Sequence, residues 1–182
     1  MTAEATPEAT TPVPPAGELP PVGPLAHVAR PPAPTVELLG RAWPQARLAE
    51  RLFWAVTALG CAVVLGLAVW LKADARGVGT HQQLGLPPCG FVEMFDIPCP
   101  SCGFTTTYTL AAHGHLIDAA VNQPFGLLLF ALTVLAVPAG ATAAVRNVSL
   151  LDATVRWPWN RIMLGLLVGW LACWGYKWLT WH

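Results

Sequence analysis

Twenty consecutive residues, Leu52 to Leu71, carry no charge, and at helical rise they cover about 30 Å, the thickness of a bilayer's hydrocarbon core. In lipid every backbone amide must find its partner inside its own segment, so a run of this kind is confined to a transmembrane helix. Two more runs follow. Phe125 to Val145 is uncharged up to Arg146, and Ile162 to Trp181 is interrupted only by Lys177, near enough to the end to extend its ammonium toward the interface. Pro138 predicts a kink in the second run, because its ring removes a backbone donor and crowds the preceding turn. The chain therefore reads as an all-α membrane protein with three transmembrane helices, at about 52–71, 125–145 and 162–181.

Composition points the same way. Charged residues make up 11% of the chain, about half the ordinary share of a soluble domain, and the mean hydropathy is +0.50. Lys+Arg and Asp+Glu number 10 each, so no overall field draws nucleic acid, and the charges have to be read loop by loop. The nine tryptophans sit mainly near the ends of the apolar runs, where an amphipathic ring prefers the headgroup layer.

Residues 1–40 are rich in Ala, Pro and Thr and poor in large apolar side chains, too poor to offset the entropy of ordering a chain. They predict a disordered tail with polyproline-like character, ahead of a membrane domain at 41–182. With Glu4 and Glu8 and no basic segment leading into an apolar one, the tail does not read as a cleavable signal peptide. Short loops rich in Lys and Arg stay in the cytoplasm. Arg41, Arg47 and Arg51 precede the first span, and Arg146, Arg156 and Arg161 surround the loop between the second and third, whereas the 72–123 loop holds only Lys72 and Arg76. The N-terminus is thus expected in the cytoplasm, and the 72–123 loop and the C-terminus outside.

That first loop is not uniformly polar. From Ile97 to Ile117 no residue is formally charged, yet four threonines, two histidines and two glycines make it a poor span. A short interfacial or re-entrant helix is expected from about Pro100 to Ala112. Cys89 and Cys99 stand before it and Cys102 in its first turn, three thiols within fourteen positions. Pro100 suits the first position of a helix, which would make Cys99 its cap and favour the thiolate there. Gly103 occupies the place where a c-type haem motif needs histidine, so haem attachment is excluded.

Three chemistries fit the spacing. Cys89, Cys99 and Cys102 can hold zinc or another thiophilic metal ion, with His113 or His115, or else His81 or Asp96, as the fourth ligand. Cys99 and Cys102 can exchange disulfides with Cys89 resolving, although no thioredoxin-like pattern surrounds them. A single disulfide can staple the loop. His113 and His115 lie two apart and would point to opposite sides of a helix, so they could share a ligand only where the chain is extended. Cys61 and Cys173 fall inside spans and read as small apolar side chains. In the third span Gly165, Gly169 and Cys173 recur every four residues beside Trp170, Trp174 and Trp178, a pattern that admits close approach of a helix, including that of a second copy in a homodimer.

From Cys89 to Gly126 the sequence resembles a family of small membrane proteins, domain of unknown function 2752. A leading cysteine is followed by Cys99-Pro100-Ser101-Cys102-Gly103-Phe104-Thr105, then Gly114, then Gln123-Pro124-Phe125-Gly126 at the entrance of a span. Many members carry arginine where this chain has Thr106. The resemblance implies a bacterial membrane protein and no particular activity. No nucleophile with an adjacent base, phosphate loop or intramembrane carboxylate is found, which disfavours hydrolase, nucleotide-binding and ion-relay readings. What remains is a non-enzymatic accessory or scaffold protein with a metal-binding or disulfide-stapled cysteine site, or a membrane thiol-disulfide oxidoreductase using Cys99 and Cys102.

Overall fold

The structure, a computed structural model, describes residues 34–155 and 157–181. The expected tail falls mostly outside them. Its last residues, however, supply β1 (Thr35–Leu38), which pairs antiparallel with β2 (Arg41–Pro44) of the following region in a hairpin turned by Leu39 and Gly40 at positive φ. No apolar periodicity announces this hairpin. It is held instead by backbone bonds to the far end of the second span, with the N–H of Ala46 donating to Asn147 O at 2.7 Å and that of Ser149 to Pro44 O at 2.8 Å.

The three apolar runs are helices: α1 (Leu48–Trp70), α5 (Pro124–Arg146) and α7 (Trp159–Leu179), each long and apolar enough to cross a membrane. Pro124 opens α5 at its first turn, where a missing N–H leaves nothing unsatisfied, and Asn147 closes it in the left-handed conformation. Pro138 is carried inside a continuous helix. The α1 and α5 helices run antiparallel in close contact. A Cβ at Gly140 would lie 2.9 Å from Trp54 O and 3.1 Å from the Ala58 Cβ, and Arg51 Nε donates to Ala144 O at 2.9 Å. Small residues, Ala58 and Ala143 among them, are buried at this contact, while large apolar side chains such as Val56, Leu59 and Leu135 face outward as lipid contact requires.

The first loop is a folded cap that holds the expected short helix, as Phe104–Ala112, among other short elements. A 3₁₀ turn (Thr80–Leu84), α2 (Gly90–Phe95), α3 (Phe104–Ala112) and α4 (Leu116–Asn122) follow one another. Its interior is polar. Thr80, Thr106, Thr107, Thr109 and Gln123 are all buried, and the hydroxyls of Thr80 and Thr106 pair at 2.8 Å. Neutral hydroxyls can give and take hydrogen bonds in the same contact, which lets a polar core close without ions. Tyr108 OH meets Thr133 Oγ1 at 2.9 Å and ties α3 to α5. A five-residue helix, α6 (Leu150–Thr154), capped by Ser149, lies between α5 and α7.

Candidate metal centre

Cys89, at the start of α2, meets Cys99 and Cys102, the two ends of one turn. Their sulfurs all lie within 4.8 Å of one another. Cys99 and Cys102 are 3.2 Å apart at sulfur, and Cys102 and Cys89 3.6 Å. A tetrahedral ion with metal–sulfur bonds of about 2.3 Å sets sulfurs about 3.8 Å apart, a spacing close to that of Cys102 and Cys89 and about 0.6 Å wider than that of Cys99 and Cys102. Cys102 is buried, while Cys89 and Cys99 are half-buried. They open on a cavity of about 440 Å³ that His81 and Glu93 also line. His81 is hydrogen-bonded through Nε2 to Pro87 O at 3.1 Å.

Local geometry explains the convergence. Cys99 to Cys102 form a tight turn in which the N–H of Cys102 donates to Cys99 O at 2.9 Å and that of Cys99 donates to the Cys102 sulfur at 3.2 Å. Gly103 leaves that turn at φ +89°, and a Cβ there would stand 3.0 Å from Gly77 O and 3.1 Å from Asn122 Nδ2. Only glycine fits both the conformation and the approach. Cys99 does not cap a helix as the sequence suggested: Pro100 sits in the turn, α3 begins at Phe104, and Gly103 is its cap. Cys89 instead takes a cap position, ahead of α2.

These surroundings separate the thiols. Burial pushes the Cys102 thiol well above its usual range, and the neighbouring Cys99 and Cys89 push it further. Burial also opposes ionisation of Cys89, but the backbone N–H groups of Val92 and Phe91 and the adjoining thiols outweigh it and bring Cys89 below its usual range.

His113 and His115 are not brought to the cysteines. His113 follows the last residue of α3, the opposite end from Gly103, with Nδ1 2.8 Å from Thr109 O, and His115 lies 3.7 Å from Asp118. Asp96 ends α2 outside the cysteine group, as Cys61 and Cys173 lie outside it in α1 and α7. Two features of α7 tie it to the cap. Lys177, near the helix end, is 8% exposed, with Nζ donating to Asn122 Oδ1 at 2.8 Å. Trp170 and Trp174 donate their indole N–H groups to Pro100 O at 3.1 Å and Pro98 O at 2.9 Å, gripping the cysteine turn from both sides of Cys99. The four-residue spacing of these tryptophans is visible in the sequence, but the carbonyls they serve lie some seventy positions away in the chain.

No curated protein and no solved structure matches this chain. Residues 89–137, which run from the first cysteine of the centre to the residue before Pro138 in α5, match the model of the family described as Protein of unknown function (DUF2752). Over this cysteine-bearing segment, the chain resembles that family.

Proposed function

We propose that this multi-pass membrane protein binds a thiophilic divalent ion, zinc foremost, at Cys89, Cys99 and Cys102, and serves as an accessory or scaffold in the membrane. The observation that carries this reading is the convergence of three sulfurs, one of them buried, at spacings suited to one tetrahedral ion. The cavity beside the sulfurs is lined by His81 and Glu93, the protein groups in it of a kind to complete the set. The lipid bilayer surrounds the three helices, and the Gly165–Gly169 face, where added Cβ atoms would meet nothing closer than Phe125 at 3.9 Å, is where a second helix would approach. Arg41 and Arg47 precede α1, Arg51 lies in its first turn and Arg146 ends α5, which supports a cytoplasmic N-terminus and an extracytoplasmic cysteine cap.

Metal analysis of the purified protein, together with thiol counting before and after reduction, tests this. The expected result is about one zinc per chain, lost in the Cys99→Ser, Cys102→Ser variant. The 3.2 Å approach of Cys99 and Cys102 favours one alternative, a dithiol that exchanges disulfides. That alternative predicts no metal and two thiols that appear only on reduction. With five cysteines in the chain, five free thiols before reduction and no metal would refute both readings.

A further inference from the structure

Lys177 is a buried cation whose only hydrogen-bond acceptor among the described residues is a neutral amide, Asn122 Oδ1 at 2.8 Å. The backbone of Gly77 covers it, since a Cβ there would lie 3.5 Å from Nζ. Two carboxylates line the same cavity, but neither forms an ion pair with it. Asp74 is clasped by Arg76 at 2.8 and 3.1 Å, and Asp118 is exposed beside His115. Burying a charge without a counter-charge is strongly unfavourable. Lys177 therefore calls for an anion that the described carboxylates do not supply.

The hydrogen bonds lead to one. Asn122 accepts from Lys177 and, through Nδ2, donates to Gly103 O at 3.2 Å and to Thr107 Oγ1 at 3.0 Å. Gly103 is joined directly to Cys102, so the path from Lys177 through Asn122 ends at the residue beside the buried sulfur. Three thiolates around a divalent ion carry a net charge of −1, from −3 and +2.

We propose that Lys177 is the counter-cation of the cysteine centre, a positioning residue that acts through Asn122 and Gly103 to balance the charge of three thiolates and a divalent ion. This rests on the metal reading above. On binding, the ion displaces the three thiol protons to solvent, and centre plus lysine become neutral together. Without the cation, the site either holds an uncompensated negative charge or retains one thiol proton and binds through two thiolates. Both outcomes weaken binding.

The full chain in detergent micelles, titrated with Co(II) and competed with Zn(II), provides the test. Lys177→Met is expected to weaken Co(II) binding about 10- to 100-fold, the usual effect of losing a supporting group around a metal's ligands. It should also lower the sulfur-to-cobalt charge-transfer absorbance per bound ion to about two thirds, as one of three thiolates is lost. Lys177→Gln, polar but uncharged, should behave like Lys177→Met and stands in for it if the methionine variant does not fold. Lys177→Arg should restore both quantities. Wild-type affinity and absorbance in a folded uncharged variant would overturn the proposal. Absence of the charge-transfer band in the wild-type protein would overturn the metal reading with it.

Discussion

At the scale of single residues the centre depends on a position with no side chain. Gly103 stands at φ +89° with Gly77 O and Asn122 Nδ2 where a methyl group would go. Gly103→Ala is expected to cost about 1–2 kcal/mol in backbone strain and to displace the adjoining Cys102. Thermal unfolding and metal content should both fall, whereas Gly85→Ala, at a positive φ with open space around it, should lower stability alone. Cys102 contributes to the response to pH, and Cys89, shifted the other way, opposes it. The Cys102 proton is held more tightly in the folded chain than in an unfolded one, so in the metal-free protein this contribution is complete below about pH 8.5. It is lost as pH rises toward the folded value. Metal loading runs the other way, because binding must expel that proton, and zinc should be released as pH falls. Metal occupancy measured across a pH series, beside the melting temperature of the metal-free protein, checks both signs.

At the scale of elements, α1 and α5 are held by a small-residue contact that one side chain would fill. Gly140→Leu is expected to destabilise the pair by about 1–3 kcal/mol through overpacking, while Gly60→Leu on the open face of α1 should change little. Denaturation followed by circular dichroism in mild detergent separates the two. The spans were legible in the sequence because lipid demands long uncharged runs, and nothing in tertiary packing overrides that demand at Leu52–Leu71. The cap was legible only in its chemistry. Its helices of six, nine and seven residues are too short for periodicity to register, and its core is built from threonines whose partners lie across the fold. Cys89, Cys99 and Cys102 could be named as a group, but Gly103 displaced the helix start that Pro100 advertised. The partner of Lys177 is hidden from the sequence for a related reason. The distance of Lys177 from the end of a run is a sequence property, whereas its acceptor, Asn122, is presented by α4.

At the scale of the whole described chain, the cap joins the helices at one end. The hairpin bonds to the turn after α5 at the other, and Trp170, Trp174, Tyr176 and Lys177 of α7 bond to Pro100, Pro98, Val121 and Asn122 of the cap. The C-terminal end of α7 therefore lies with the cysteines, away from the N-terminal end of α1, as three crossings require. A single cysteine introduced by Met94→Cys, at a position 76% exposed on α2, in a background lacking the five native cysteines, should react with an impermeant maleimide added outside intact cells. Reaction only after lysis would reverse the proposed orientation. The centre itself is tested most directly by X-ray absorption at the zinc edge of the zinc-loaded protein. Three sulfur neighbours at about 2.3 Å with one lighter ligand are predicted, and a zinc shell with one sulfur or none would contradict a site built from Cys89, Cys99 and Cys102.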